Sequence, residues 1–168
     1  MTRTRKETIR SVCPALAGER ARLMATLDAF RDEEMDFRPD APESAHPLSV
    51  REILMHIIDA DHRLVDGGVR GVSFTNPEFV CDESFSRIAE VTVDQLDRAG
   101  IRAALEQSWR GVDAILDWPV EALQRKVTPE SATSLFTLLS FAFMHISQHR
   151  GQLWTYLELL GRRPPRDD

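Results

Sequence analysis

"LFTLLSFAFMHISQHRGQLWTYLELLG", residues 135–161, decides how the rest of the chain is read. A helix opening at Thr133 or Ser134 and closing at Gly161, with Pro164 and Pro165 beyond, accounts for its flanks. Its apolar run, residues 135–146, is interrupted by Thr137, Ser140 and His145 and is too short to span a bilayer. Inside it stand His145 and His149, which share one helical face because positions four apart stack one turn above another. That is metal-ligand spacing, and chance also produces it, so a ligand from elsewhere in the chain has to support it.

Three further segments carry helical periodicity. Over residues 5–34, Ile9, Val12, Leu16, Leu23, Leu27 and Phe30 mark one apolar stripe, with Pro14 able to kink or delay it. The stretch "FRPDAPESAHP" reads as loop. Ser49 with Glu52 forms a capping-box pattern that starts a second helix, which ends near Gly67 and Gly68. Thr92 with Gln95 repeats the pattern and opens a third, carrying Leu96, Ile101, Leu105, Trp109, Val112 and Leu116 and stopping before Pro119. No run of alternating β-branched residues between tight turns appears. Four amphipathic helices in one domain spanning residues 1–168 predict an all-α four-helix bundle.

The 68–92 link is long for a helix–helix connection, so it can cross the bundle end and let helices two and three run parallel. It contains "VSFTNPEFVCDESF", which can roof a pocket or serve only as a spacer, and a short helix is expected near 82–90.

His56 is the best third ligand. It sits among Ile53, Leu54, Ile57 and Ile58, and a buried imidazole needs a partner that a metal ion, or a backbone carbonyl, can supply. His62, about 120° further around the helix, cannot easily face the same ion. His46, before Pro47, reads as exposed. Asp59 shares the His56 face, where it can accept from a liganding imidazole, give a fourth oxygen ligand, act as a base, or lie in solvent. Arg150 is suited to an anion, a carboxylate or the surface, and Gln152 to a place behind the ligands or on substrate. Gly151 weakens a helix interior, which suggests that another backbone or a bound group comes close there.

The net charge of −6 argues against a nucleic-acid partner despite basic residues at both ends. Two cysteines, Cys13 and Cys81, cannot build a disulfide framework and read as incidental thiols in a reducing compartment. The opening residues lack the build of a signal peptide, so a cytoplasmic protein with no membrane partner is expected.

The "SVREILMHI" start of helix two, the "HISQHRGQL" string and the "LLGRRPP" ending together resemble the DinB/YfiT-like metalloenzyme family, over nearly the whole chain. The resemblance implies an up-down-down-up bundle, often dimeric. It implies one divalent transition metal per chain, zinc or nickel in many relatives, on three histidines that map onto His56, His145 and His149. Relatives of assigned chemistry use low-molecular-weight thiols such as bacillithiol, mycothiol or glutathione. A metal-dependent thiol S-transferase acting on a small-molecule substrate is the leading expectation. A hydrolase using metal-bound water is the alternative, as is a non-catalytic, stress-related dimeric helical bundle whose metal is structural or absent.

Overall fold

Pro14 lacks an amide hydrogen and its ring fixes φ, so a helix starts at it more readily than it runs through it. In the computed structural model, which describes residues 7–40, 47–65, 96–127 and 133–165, this divides the segment expected as one helix. α1 (Ile9–Val12) is a single turn, and α2 (Pro14–Ala29) begins on the proline. A 3₁₀ turn follows at Asp32–Glu34. Of the predicted stripe, Ile9, Leu16, Leu23, Leu27 and Phe30 are buried, but Val12 is exposed. The break at Cys13 explains the difference. α1 leaves the axis of α2 and is pinned separately, Ile9 N donating to the Trp118 carbonyl at 2.9 Å, so that its one turn faces Ile9 inward.

α3 (Val50–Val65) starts where its capping box predicts. Glu52 N donates to Ser49 Oγ at 3.2 Å and Ser49 N donates to Glu52 Oε2 at 2.7 Å, which satisfies donors at the helix start. Val50, Ile53, Leu54, Ile57, Ile58 and Leu64 turn inward. α4 (Arg98–Leu116) begins later than Thr92 and Gln95 suggest. Asp97 is the cap, its carboxylate accepting from Gly100 N at 2.7 Å, and Leu96 precedes the helix. An aspartate in extended backbone satisfies the first amides directly and so fixes the start at this position. A 3₁₀ turn, Val120–Gln124, then leads towards α5 (Leu135–Leu159).

α5 is closed at both ends. Ser134 Oγ accepts from Thr137 N at 3.3 Å. At the other end Gly161 has φ 73°, Arg162 N donates to Leu157 O at 2.8 Å and Gly161 N to Glu158 O at 2.9 Å. These paired bonds are the Schellman arrangement, and the left-handed residue it needs is glycine.

α3 lies against α4 and α5, while α2 lies mainly against α5 and touches α4. The fold is all-helical with four long helices; among the described residues only isolated bridges, Thr8 with Pro119 and Lys126 with Ser134, have β character. No helix of the described residues is long and apolar enough to cross a membrane. The apolar excess of α5 divides: Leu135, Leu138 and Leu139 enter the core, Phe143 packs partly against it, and Phe136, Phe141 and Met144 are more than half exposed. His46, the Gly67–Gly68 pair, the 68–92 link with its short helix and Cys81, and the Thr92 and Gln95 pattern lie outside the described residues.

At Gly151 the expectation of a neighbouring backbone is corrected. The residue is exposed, and a Cβ placed on it meets no atom of the described residues within 4 Å. Replacing Gly151 by Ala is therefore expected to raise the unfolding free energy by about 1 kcal/mol. Gly161→Ala, forced into positive φ, is expected to lower it by about 1 kcal/mol or more. Urea denaturation of both variants checks the opposite signs, and a destabilised Gly151→Ala would mean that something does rest against that turn.

Candidate metal centre

Ile53, Leu54, Ile57 and Ile58 hold α3 into the core, which leaves His56 at the edge of that buried face and partly exposed. On α5, Leu138, Leu139, Ala142, Ile146 and Leu153 are buried around the two-histidine turn, and His149 is buried with them. The result brings together the three histidines singled out from the sequence. The ring centroids of His56 and His145 are 4.6 Å apart, of His56 and His149 4.6 Å, and of His145 and His149 4.5 Å.

The nitrogens that meet are the Nε2 atoms. His145 Nε2 lies 2.7 Å from His56 Nε2 and 3.2 Å from His149 Nε2. A neutral imidazole nitrogen either carries a hydrogen or presents a lone pair, so converging nitrogens need a proton or a cation between them. Nitrogens at about 2.0–2.1 Å from one tetrahedral ion would stand roughly 3.3 Å from one another; the His145–His149 separation matches this, while the His56 and His145 nitrogens stand closer. Among the described residues, the ligating atoms of His56, His145 and His149 lie within 4.8 Å of one another and can hold a metal ion. The donor set fits a borderline divalent cation, for which imidazole is a preferred ligand.

The electrostatics favour neutral rings. Burial, then the neighbouring His149, pushes His145 down to about 4. Burial likewise lowers His149, opposed by its hydrogen bond with Gln152. Both rings thus stay uncharged at neutral pH, the form that ligates.

The other residues singled out from the sequence are placed as follows. Asp59 is half-buried one turn beyond His56 and is not a member of the three-histidine group. His62 is exposed on α3. Gln152 lies behind the site, its Oε1 3.1 Å from His149 Nδ1. Arg150 takes the carboxylate among its open roles: Nε reaches Glu19 Oε2 at 2.9 Å and Nη2 reaches Oε1 at 3.4 Å, and its guanidinium lies 4.3 Å over the Trp154 ring. Three participants escape a sequence reading. Glu19 on α2 is one. Phe141, stacked on His145 with centroids 5.4 Å apart, and Tyr156, next to Gln152, are the others. The last two stand four residues from a site residue, a spacing that could have flagged them.

Fold and site together define a class, a helical bundle with a three-histidine cluster between its second and fourth long helices. Comparison with family models then places it: the DinB superfamily model matches residues 15–153, and the chain belongs to the DinB superfamily. No curated protein matches the chain.

The Arg150–Glu19 pair holds α2 to the helix that carries two of the histidines. Burial pushes the Glu19 carboxyl up, but the hydrogen bond and charge of Arg150, helped by Ser147 and Arg22, outweigh it and hold the group below its ordinary 4.5. A carboxylate depressed in the folded state contributes stability above its unfolded value and loses it as pH falls through the folded value. Arg150→Met is thus expected to cost roughly 3 kcal/mol at pH 7, the usual scale for removing one partner of a buried pair. The gap from wild type should narrow as pH falls from 7 to below the ordinary 4.5 of the Glu19 carboxyl. Denaturant melts of the two proteins across that range check it, and a gap independent of pH would contradict the assignment.

Proposed function

We propose that this protein is a metal-dependent thiol S-transferase in which His56, His145 and His149 hold one divalent transition ion, zinc or nickel. The observation that carries the reading is the convergence of three imidazole nitrogens with, among the described residues, no carboxylate in the group. Such a set leaves an ion its full charge and a position open to an exogenous ligand. An ion held there would acidify a thiol in that position, giving a sulfur nucleophile at neutral pH. The overall transfer balances as R–SH plus R′–X giving R–S–R′ and HX, with a low-molecular-weight thiol as R–SH and a small electrophile as R′–X.

The protein's own residues do the rest. Burial keeps His145 and His149 unprotonated, and Gln152 holds His149 from behind. The half-exposed Phe141 ring, stacked on His145, offers an apolar shelf for the electrophile. Arg150, braced on Glu19, fixes the α5 turn that carries His149. Asp59, one turn from His56, is the carboxylate we assign to receive the thiol proton. We further propose an up-down-down-up order for the single domain, which the length of the 68–92 link favours. A homodimer that covers Phe136 and Met144, and a cytoplasmic setting supplying the thiol, complete the reading.

Elemental analysis of protein without a histidine tag, beside His56→Ala, His145→Ala and His149→Ala, tests the metal. Close to one zinc or nickel per chain, lost in each variant, is the expected result. Wild type that stays metal-free after incubation with either ion would overturn it. The loaded protein should then consume an electrophile such as a chlorodinitrobenzene only when bacillithiol, mycothiol or glutathione is supplied. Turnover of an ester without thiol would point to the hydrolase instead.

A further inference from the structure

Behind His149 runs a hydrogen-bond chain whose direction is set by one backbone atom. Tyr156 Oη donates to the Leu48 carbonyl at 2.8 Å. Gln152 Nε2 donates to Tyr156 Oη at 3.4 Å, and Gln152 Oε1 lies 3.1 Å from His149 Nδ1. We propose that Tyr156 and Gln152 are positioning residues that select the His149 tautomer protonated on Nδ1, leaving the Nε2 lone pair for a metal ion. This rests on the metal reading above and adds to it the groups that make His149 competent to bind.

A carbonyl oxygen can only accept, so the single hydroxyl proton of Tyr156 is committed to Leu48. The phenol oxygen is then left as an acceptor. It can be satisfied by the Gln152 amide only if the NH₂ end faces it, which turns the amide oxygen to His149. An oxygen at that place requires a hydrogen on Nδ1. The remaining nitrogen, Nε2, is consequently the unprotonated one, and it is the atom that meets His145 Nε2 at 3.2 Å. Reversing the amide would set two acceptors against each other at Tyr156, or leave the Leu48 carbonyl without its donor.

The chain is well anchored. Tyr156 is buried, with its ring edge-on to Phe37 at 5.7 Å, and burial raises its hydroxyl above the ordinary value, so the proton stays in place. Leu48 lies just ahead of Ser49, the cap of α3, and α3 carries His56. The relay therefore ties the orientation of one ligand, on α5, to the start of the helix that supplies another. Partners of this kind behind a liganding histidine commonly change metal affinity 10–100-fold when removed.

The test uses metal-free protein with ¹⁵N-labelled histidine, comparing wild type with Tyr156→Phe, Gln152→Leu and Gln152→Glu. Long-range ¹H–¹⁵N correlation is expected to show His149 of wild type protonated on Nδ1. Gln152→Leu should shift it towards the Nε2–H form, and Tyr156→Phe should give a mixture. Gln152→Glu keeps an acceptor at the same place and should retain the wild-type tautomer. In zinc and nickel titrations against a chromophoric chelator, Gln152→Leu should bind about tenfold more weakly or worse, with Gln152→Glu close to wild type. A purely structural role would not sort Gln152→Glu from Gln152→Leu by tautomer. Nε2–H in wild type, or a Gln152→Leu protein unchanged in tautomer and affinity, overturns the relay. Wild-type Nδ1–H with no metal uptake by any protein instead sinks the metal reading while the tautomer control stands.

Discussion

Three imidazole nitrogens aimed at one another inside a helical bundle are an unfavourable arrangement unless something positive lies between them. Where neither nitrogen carries a hydrogen, lone pairs repel at the 2.7 and 3.2 Å separations found here, and partial burial reduces the water that would otherwise screen them. The bundle nevertheless enforces the meeting. His145 and His149 share a face of α5 by helical geometry, and His56 is fixed opposite by the apolar residues that seat α3. A cation bridging them would cross-link two helices distant in sequence. It would also stabilise the folded chain by mass action, about 2.7 kcal/mol at a ligand concentration one hundred times Kd. Site and fold are thus coupled through the same three side chains.

The polar interior extends beyond the histidines. On one side of α2, Glu19 meets Arg150, and Thr26 Oγ1 accepts from Trp154 Nε1 at 2.9 Å, so α2 and α5 are joined by polar contacts at two levels. On the other side Arg20, buried, reaches Asp113 Oδ1 at 3.2 Å and lies over the Trp109 ring. Asp61 faces the same region, with the Ser108 hydroxyl 3.4 Å from its Oδ2. Burial lifts Asp61 to about 6, against the opposing pull of Arg20. Buried ionic groups add little net stability compared with apolar replacements, but they penalise every misaligned packing in which a charge loses its partner. For a bundle of amphipathic helices that can slide by a turn, this is a means of fixing register, and register places His56 opposite α5.

The features legible in the sequence are those written locally. Ser49 with Glu52, Ser134 and Gly161 each act within one turn of where they stand, and each marks a helix end as read. The three histidines were legible because two share a face and the third stands out against Ile53, Leu54, Ile57 and Ile58. Where two local signals compete, the sequence is ambiguous: Asp97 caps α4, although Thr92 and Gln95 have the more recognisable spacing. Gly151 misleads as to a neighbouring backbone, because a helical glycine signals either close packing or indifference and only the three-dimensional surroundings distinguish the two. Glu19 opposite Arg150, and the Leu48 carbonyl opposite Tyr156, depend on how distant helices are juxtaposed. A backbone carbonyl, moreover, has no sequence signature at all.

Phe141, His145, His149, Gln152 and Tyr156 follow one another at spacings of four, four, three and four, a continuous stripe along α5. In an ordinary bundle such a stripe would be leucine and valine and would supply core. Here a half-exposed aromatic ring, two imidazoles, an amide and a phenol occupy it in order, each touching the next. An apolar stripe of similar volume would cost nothing in unsatisfied polarity, so local stability does not explain this one. Departures from a locally consistent core are the places where a sequence gives up stability for chemistry. The neighbouring positions, Arg150 and Trp154, carry the bracing to α2, so the helix that bears both histidines is clamped against the movement that would misalign them. On this view α3 needs to contribute only His56 and a carbonyl at its start, which is why one histidine in an otherwise apolar face is sufficient there.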